Sequence, residues 1–448
     1  MLGMTSNSRH LKLGAILEGV GSDHATWRDP SVPGDASIDF RWYLNNARLA
    51  EQAKFDLVFI VDSPFTGPDS APHFLNRLEP LTLLAALAMA TSHIGLVGTL
   101  TTSFWEPYNV ARLFGTLDHL SQGRAGWNVV TTGLDGSAAN YSRDAHFEHG
   151  ARYARALEFV QVVQGLWDSY EDDAFPRDAE NGVFLNRDRQ HRLDHRGEHF
   201  QVAGPLALSR SPQGQPVIFQ AGDSSEGRDL GARIADCTFT APADFDAARE
   251  YYADIKQRAR AAGRDPSKIS VMPLLDVALA DTDREAKALL ESRARLFEMD
   301  KLIAHLGRAF SPHDFTQYPL DEPFPDLFDL PINSYKSLTQ RIIRTATAER
   351  LTLRQVALRF GTWHTVTPGS PEAIADLIED WFTRGAADGF NLRVTRATDF
   401  TIFRERVIPI LQQRGLFRTE YEGSTLRENL GLQVPENRFT AARKNKIV

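Results

Sequence analysis

The sequence predicts an α/β fold, a parallel (β/α)8 TIM barrel with long insertions and a C-terminal arm. Three observations predict it. Short apolar runs alternate with amphipathic helical patterns from Leu13 to Gln412, the order that builds a parallel sheet with right-handed crossovers. Eight such runs can be counted along the chain. The stretch Gly123 to Thr132 opens on a turn glycine, continues apolar and ends in amide and hydroxyl groups. A barrel strand has this form when its carboxyl end carries a site.

In order, the first strand is Leu13 to Glu18, running into the loop Gly19 to His24, and Ile38 to Ala53 has helical spacing of Phe40, Tyr43, Leu44, Ala47 and Ala50. The second strand, Leu57 to Val61, ends in Asp62-Ser63-Pro64, where proline stops the run. Pro80 opens a helix to Ala90, Ile94 to Thr99 is the third strand, Asn109 to Leu120 a helix, and Arg124 to Val130 the fourth strand. A long helix follows from Tyr153 to Tyr170. The stretch Glu171 to His199 is rich in charge, asparagine and glycine and is expected to leave the barrel. Pro216 to Gln220, Cys237 to Thr240 and Ile269 to Leu279 are strands five to seven, with helices at Ser225 to Ala235 and Phe245 to Ala262. Asp283 to Leu306 and Thr339 to Arg359 have helical patterns. Between them, Ser311 to Pro331 carries prolines at 312, 319, 323, 325 and 331, which forbid regular helix. Helix Pro371 to Arg384, strand eight Gly389 to Val394 and helix Phe400 to Gln412 close the barrel. The expected organisation is one domain over 1–448, with insertions at about 171–199 and 283–359. A polar C-terminal arm from about 418 is expected to pack on a neighbour.

Composition narrows the function. The 448 residues are 42% hydrophobic and 24% charged, and no run approaches a membrane span. The N-terminus lacks the pattern of a secretory signal, so the cytoplasm is the expected compartment. A formal charge of −8 without a basic run argues against nucleic acid. The single cysteine, Cys237, excludes an intrachain disulfide and any multi-cysteine metal site.

Several familiar motifs fail. Gly19-Val20-Gly21 follows a strand, but His24 stands where a dinucleotide fingerprint needs its third glycine. His195-Arg196-Gly197-Glu198-His199 has the spacing of an inverted zinc motif, yet Gly197 and the following Phe200 to Pro205 suggest a hairpin with surface histidines. His146-Phe147-Glu148 lacks the paired cysteines of a zinc deaminase.

One constellation survives. Gln220 to Arg228 lies between a strand and a helix, and its small residues with Ser224 and Ser225 can present N–H and hydroxyl groups to a phosphate at a helix N-terminus. An ordinary serine cap explains the same residues equally well. His149 and Tyr153 are four apart, on one helix face, and both can donate to a phosphate; a solvated helix face accounts for the same spacing. Asp62, Thr99 and Asn128 stand at strand ends, so they converge on one mouth. A flat heterocycle with a phosphate tail fits that set.

Gly123 to Thr132, together with Thr99 to Arg112, His24-Ala25-Thr26-Trp27-Arg28, Gln220 to Gly227, Gly385 to Asn391 and Thr425 to Leu432, resembles the nitrilotriacetate monooxygenase family. That branch of the bacterial luciferase-like flavoproteins also holds dibenzothiophene-sulfone, EDTA, dimethyl-sulfide and long-chain-alkane monooxygenases. The likeness runs in register from about Leu11 to Arg438. It implies a barrel that binds reduced FMN, delivered by a separate NAD(P)H:flavin reductase, and reacts it with oxygen to a C4a-peroxyflavin in a dry pocket. It also implies a homodimer or homotetramer. By matching positions Asp62, Thr99, His149, Tyr153 and Ser224 would contact FMN, with Asn128, Gly222 and Ser225 close by. His24 would steer or protonate peroxide or substrate, an imidazole being able to do either; a structural histidine fits equally. Trp27, Trp105 and Trp127 are candidates to line the substrate pocket. Three departures stand out: Gln122 in place of the usual glycine, Asp223 beside the phosphate position, and the turn Thr367 to Pro371.

The insertions are expected to shape the substrate pocket, and Phe310, Phe315, Tyr318, Phe324 and Phe328 favour an apolar or aromatic substrate among sulfur compounds, amines and hydrocarbons. Rival readings are an F420-dependent oxidoreductase on the same barrel, a flavin-binding protein without catalysis and, more distantly, a metal-dependent hydrolase.

Overall fold

The computed structural model describes residues 9–67, 70–310, 313–328, 330, 336–361 and 366–444. Eight strands run parallel in chain order: β1 (Lys12–Leu17), β2 (Leu57–Ile60), β3 (Gly95–Thr101), β4 (Ala125–Val130), β5 (Val217–Ala221), β6 (Cys237–Thr240), β7 (Ser270–Leu279) and β8 (Gly389–Val394). Each pairs with the next, and β8 returns to β1 with Asn391 opposite Gly14, so the sheet closes into the predicted barrel. Closure leaves none of these eight with a free edge.

The outer ring comprises α1 (Phe40–Gln52), α2 (Pro80–Ala88), α3 (Pro107–Leu120), α4 (His149–Trp167), α5 (Ser225–Ile234), α6 (Phe245–Ala261) and α7 (Pro371–Thr383). An eighth, α8, joins Ala397–Ile402, a π turn Phe403–Val407 and Ile408–Gln413. Their starts follow from local chemistry. Asp39, Glu79, Ser224, Asp244 and Ser370 each accept a backbone N–H from the first turn, and Pro80, Pro107 and Pro371 fill positions where no N–H is needed. Alternation along the strands then divides the core. Leu13, Ala15 and Leu17 of β1 face the helices with Trp127 and Val129 of β4. Ile16, Phe59, Val97, Phe219 and Met272 fill the barrel.

The first part of the arm packs into its own barrel. Leu426 is fully buried among the interior residues at the amino ends of the strands, with Leu430 beside it. A Cβ on Gly95 would stand 2.4 Å from Leu426 Cδ1, so the glycine at the start of β3 makes room for the plug. Thr425 caps the short helix Leu426–Asn429 with a capping box. Arg427 Nη2 lies 3.0 Å from Asp236, and Arg418 donates to the fully buried Asp56 at 2.5 Å. Gln122, where the family usually has glycine, holds φ +58 ahead of Gly123 at φ +91. That left-handed turn is the one a glycine makes without strain.

Other elements differ from expectation. The helix expected over 283–306 is two, Asp283–Ala294 and Met299–Ala309. That over 339–359 is also two, Lys336–Glu349 and Leu353–Phe360, parted at Arg350 with φ +52 and restarted by a Thr352/Gln355 capping box. The Thr367 to Pro371 turn begins as a short strand, Val366–Gly369, paired with the end of β7. Phe310 and Phe315 are buried in a core of the insertion's own with Leu306, Ile342 and Phe360, while Phe328 is 79% exposed. These aromatics therefore hold the insertion together and do not themselves argue for an aromatic substrate. Pro312 and Pro331 lie outside the described residues. No helix among the described residues is long and apolar enough to cross a membrane.

Candidate active site

Strands β3 and β4 bring Thr99 opposite Asn128, both buried, and Asn128 Nδ2 donates to Thr99 Oγ1 at 2.9 Å. β3 runs two residues further than the sequence suggested, to Thr101, and β4 ends at Val130, two past Asn128, so this pair sits one layer below the rim. Asn128 Oδ1 is buried and accepts no hydrogen bond. A buried acceptor left open costs about 1–3 kcal/mol, which a ligand N–H at this position would recover. Above the pair lies a cavity of about 230 Å³ lined by Asp62, Glu79, Thr99, Thr101, Trp105 and Tyr141 among others. Asp62, just after β2, accepts from Arg77 Nε at 2.8 Å, and Arg77 also holds Ser63 O and Phe74 O. Glu79 is fixed by the N–H groups of Leu81 and Thr82 (2.9 and 2.7 Å). Burial and then the Asp62 charge push the Tyr141 hydroxyl above its ordinary pKa.

Beside this cavity, β4 pairs with β5, and α4 packs against α5. Ser224 caps α5, its Oγ accepting from Gly227 N–H at 3.1 Å. That serine can cap the helix through its oxygen and still donate its hydroxyl proton, which the Glu226 carboxylate receives here, so the cap and anion readings are compatible. Gly222 is closely packed: a Cβ there would stand 2.7 Å from Gln220 Nε2, the end of a side chain that can move, and 3.0 Å from Gly227 Cα. Arg258 reaches the carbonyl and hydroxyl oxygens of Ser225 (3.2 and 3.4 Å). His149 and Tyr153 share one face of α4 with ring centres 5.0 Å apart, and His149 Nε2 meets Glu226 of the first turn of α5 at 3.4 Å. His149, Tyr153, Gly222, Ser224 and Ser225 thus form one group at this helix N-terminus. Asp223 has its carboxylate on Thr240 of β6, whose Oγ1 donates at 2.7 Å.

His24 stands on the far side of the mouth, in the loop after β1. Asp23 Oδ1 accepts the N–H groups of Ala25 and Thr26 (both 2.7 Å), and Arg396 from beyond β8 binds Asp29 and Thr26. His24 Nε2 lies 3.3 Å from His305 Nδ1 on the insertion helix Met299–Ala309. Under the loop, Arg393 of β8 bridges Glu18 at 2.8 Å and Asp276 of β7 at 2.9 Å. Burial pushes the Glu18 carboxyl up, with Arg393 opposing. Burial also opposes the charge on Arg393, but Glu18 and Asp276 outweigh it and its pKa is raised.

Arg77, Glu79, Thr101, Tyr141, His305 and the Glu18–Arg393–Asp276 bridge were not singled out from the sequence; inward alternation on β7 and β8 was the one available signal for the bridge. Of the three tryptophans, Trp105 lines the cavity and Trp27 is 45% exposed with its indole N–H on His24 O. Trp127 corrects the expectation: it is fully buried on the outer face of β4 among Phe114, Phe159 and Trp167. His195 sits in a two-stranded hairpin and pairs with Glu158 at 2.8 Å. Among the described residues no group of three or more His, Cys, Asp or Glu could hold a metal ion.

Residues 23–389 match the model of the luciferase-like monooxygenase family. N-acetyl-S-(2-succino)cysteine monooxygenase of Bacillus subtilis is 43% identical, over 97% of this chain and 100% of its own length. Nitrilotriacetate monooxygenase component A of Aminobacter aminovorans is also 43% identical, over 96% and 98%. The crystal structure of DmoA from Hyphomicrobium sulfonivorans superposes with a TM-score of 0.85 at 30% identity, covering 98% of this chain and 97% of that one. Riboflavin lyase, solved with modified FMN and its substrate riboflavin, gives 0.84 at 32% identity, covering 95% and 97%. A closed parallel barrel and full-length likeness at this level leave one conclusion: the chain belongs to the luciferase-like monooxygenases, in the branch of the nitrilotriacetate and dibenzothiophene-sulfone enzymes.

Proposed function

We propose that this chain is the oxygenase of a two-component FMN-dependent monooxygenase. It takes reduced FMN from a separate NAD(P)H:flavin reductase and uses it with oxygen to place one oxygen atom in a small organic substrate, an organosulfur compound, amine or hydrocarbon. The observation that carries the reading is the pairing of two half-sites. An open buried acceptor, Asn128 Oδ1, lies one layer below the rim, and a group of phosphate donors, His149, Tyr153, Ser224 and Ser225, lies at the next helix N-terminus. The names of two relatives support it: one is a component A, and another was solved with modified FMN.

Bound reduced FMN would supply the electrons that activate oxygen. The chain's own residues do the rest. Asn128, with its amide N–H spent on Thr99, presents its carbonyl to a ring N–H. Asp62, held by Arg77, offers a fixed carboxylate at the cavity edge. The N–H groups of α5 with Ser224, Ser225, His149 and Tyr153 hold the phosphate, and Gly222 lets the backbone come close. Trp105 and Tyr141 wall the cavity and exclude water. His24, in its braced loop, gives or takes the proton that oxygen transfer requires. The reading carries with it a homodimer or homotetramer in the cytoplasm.

The test is anaerobic loading with reduced FMN followed by rapid mixing with oxygenated buffer. Flavin reoxidation delayed well beyond that of free reduced FMN, and hastened by one class among sulfides, sulfones, amines and alkanes, is expected. Reoxidation at the rate of free flavin would overturn the oxygenase reading. Unchanged FMN affinity in both Ser224→Ala and Tyr153→Phe would overturn the site.

A further inference from the structure

We propose that Glu226 is a built-in competitor for the cofactor's phosphate, an acidic side chain that occupies the phosphate position in the cofactor-free chain and must leave before FMN is held. The inference rests on the FMN reading of this site. Glu226 is the second residue of α5, directly after Ser225, so its carboxylate lies where the helix N-terminus attracts an anion. It stands 3.4 Å from His149 Nε2. Its own backbone N–H holds its carboxyl below the usual range; burial opposes this, and His149 and the Ser224 hydroxyl add to the lowering. Three donors that a phosphate would use are therefore turned on a carboxylate of the chain itself.

Arg152 makes the contact specific. Its guanidinium lies 3.2 Å from His149 Nδ1, and a guanidinium can only donate. The Nδ1 lone pair is thereby used, and a proton stands on Nε2, the nitrogen that faces Glu226. Arg152 also donates to Thr132 O at 2.6 Å, which ties the imidazole's orientation to the end of β4. The imidazole is thus set to donate to whichever anion sits at the head of α5.

A carboxylate and a phosphate cannot share those donors, because two anions in contact repel. Glu226 can leave at small cost, since its side chain is 49% exposed. Riboflavin carries no phosphate and does not displace it. The site then holds FMN more weakly than its donor set alone would, which suits a flavin that arrives from one protein and departs to another.

The experiment compares oxidised FMN and riboflavin binding to the full chain by flavin fluorescence titration, for the native protein, Glu226→Gln and, as a charge control, Glu420→Gln, an exposed carboxylate beside Lys54 at the amino end of β2. Removing a unit charge that competes for the phosphate position in a largely hydrated setting should tighten FMN by about fivefold. Riboflavin should change by less than about twofold, and Glu420→Gln should leave FMN unchanged because its carboxylate stands at the opposite end of the barrel. FMN affinity in Glu226→Gln that is equal or weaker overturns the proposal. So does an equal gain for both flavins, which would place the effect away from the phosphate, or an equal gain in Glu420→Gln, which would make it a matter of net charge. Failure of all three proteins to bind either flavin, with native thermal melts, would instead overturn the cofactor reading on which the proposal rests.

Discussion

Replacing Arg393 with methionine should be among the most damaging single changes at the barrel mouth. The guanidinium is 11% exposed and bridges Glu18 and Asp276, whose side chains are 5% and 11% exposed. Methionine fills much of the same volume but leaves two carboxylates in a dry corner with no cation between them. Breaking a buried pair from one side costs about 3–5 kcal/mol. With a urea slope of about 3 kcal/mol/M, a loss of about 4 kcal/mol lowers the midpoint by about 1.3 M. The loss should also depend on pH in a definite sense. Glu18 has a folded pKa above its ordinary 4.5, so the folded state binds its proton more tightly than the unfolded state does. Stability from this group is therefore gained as pH falls through the folded pKa and lost as pH rises through it. Arg393 opposes the upward shift, so in the variant the Glu18 pKa rises further and the rescue begins at higher pH. The gap between native and variant proteins should narrow as pH falls from neutral toward the ordinary 4.5 of Glu18, in urea melts read by circular dichroism. A gap below about 1 kcal/mol, or one that is constant with pH, would refute the account of this corner as a buried charge bridge.

Three further outcomes follow from other parts of the structure. Leu426→Ala should cost about 2–5 kcal/mol, the range for a fully buried leucine, because β3 and β4 cannot collapse into the space; a urea midpoint like that of the native chain would show that the arm is not a plug. Asn128→Leu should weaken FMN binding about tenfold, the worth of one buried hydrogen bond, with stability little changed because the open acceptor disappears too; fluorescence titration and a melt together check it. Gly222→Ala should weaken FMN more than riboflavin, since the added methyl must push Gln220 or the head of α5, and equal losses for both flavins would place the effect elsewhere.

The order of strands and helices could be read from the sequence because each element's apolar period is a local property. Seven of the eight strands begin and end within one residue of where alternation and turn residues placed them, and β3 alone runs two residues further, to Thr101. The grouping of His149 with Tyr153 was also legible, since four residues is one helical turn. Their meeting with Ser224 was an expectation drawn from the family, and the packing of α4 on α5 brings the two segments together.

What the sequence determined by itself was the barrel and its family, because a βα repeat and a set of motifs in register are written in neighbouring residues. Only the tertiary structure decided which way the tryptophans face, that the arm plugs its own barrel, and that the insertion aromatics serve the insertion. It alone paired Asp62 with Arg77, joined Glu18 to Arg393 and Asp276, and set Glu226 on His149. Such contacts join residues 15 to 375 positions apart, and burial and charge at that range depend on how strands close and helices pack, which no local pattern records.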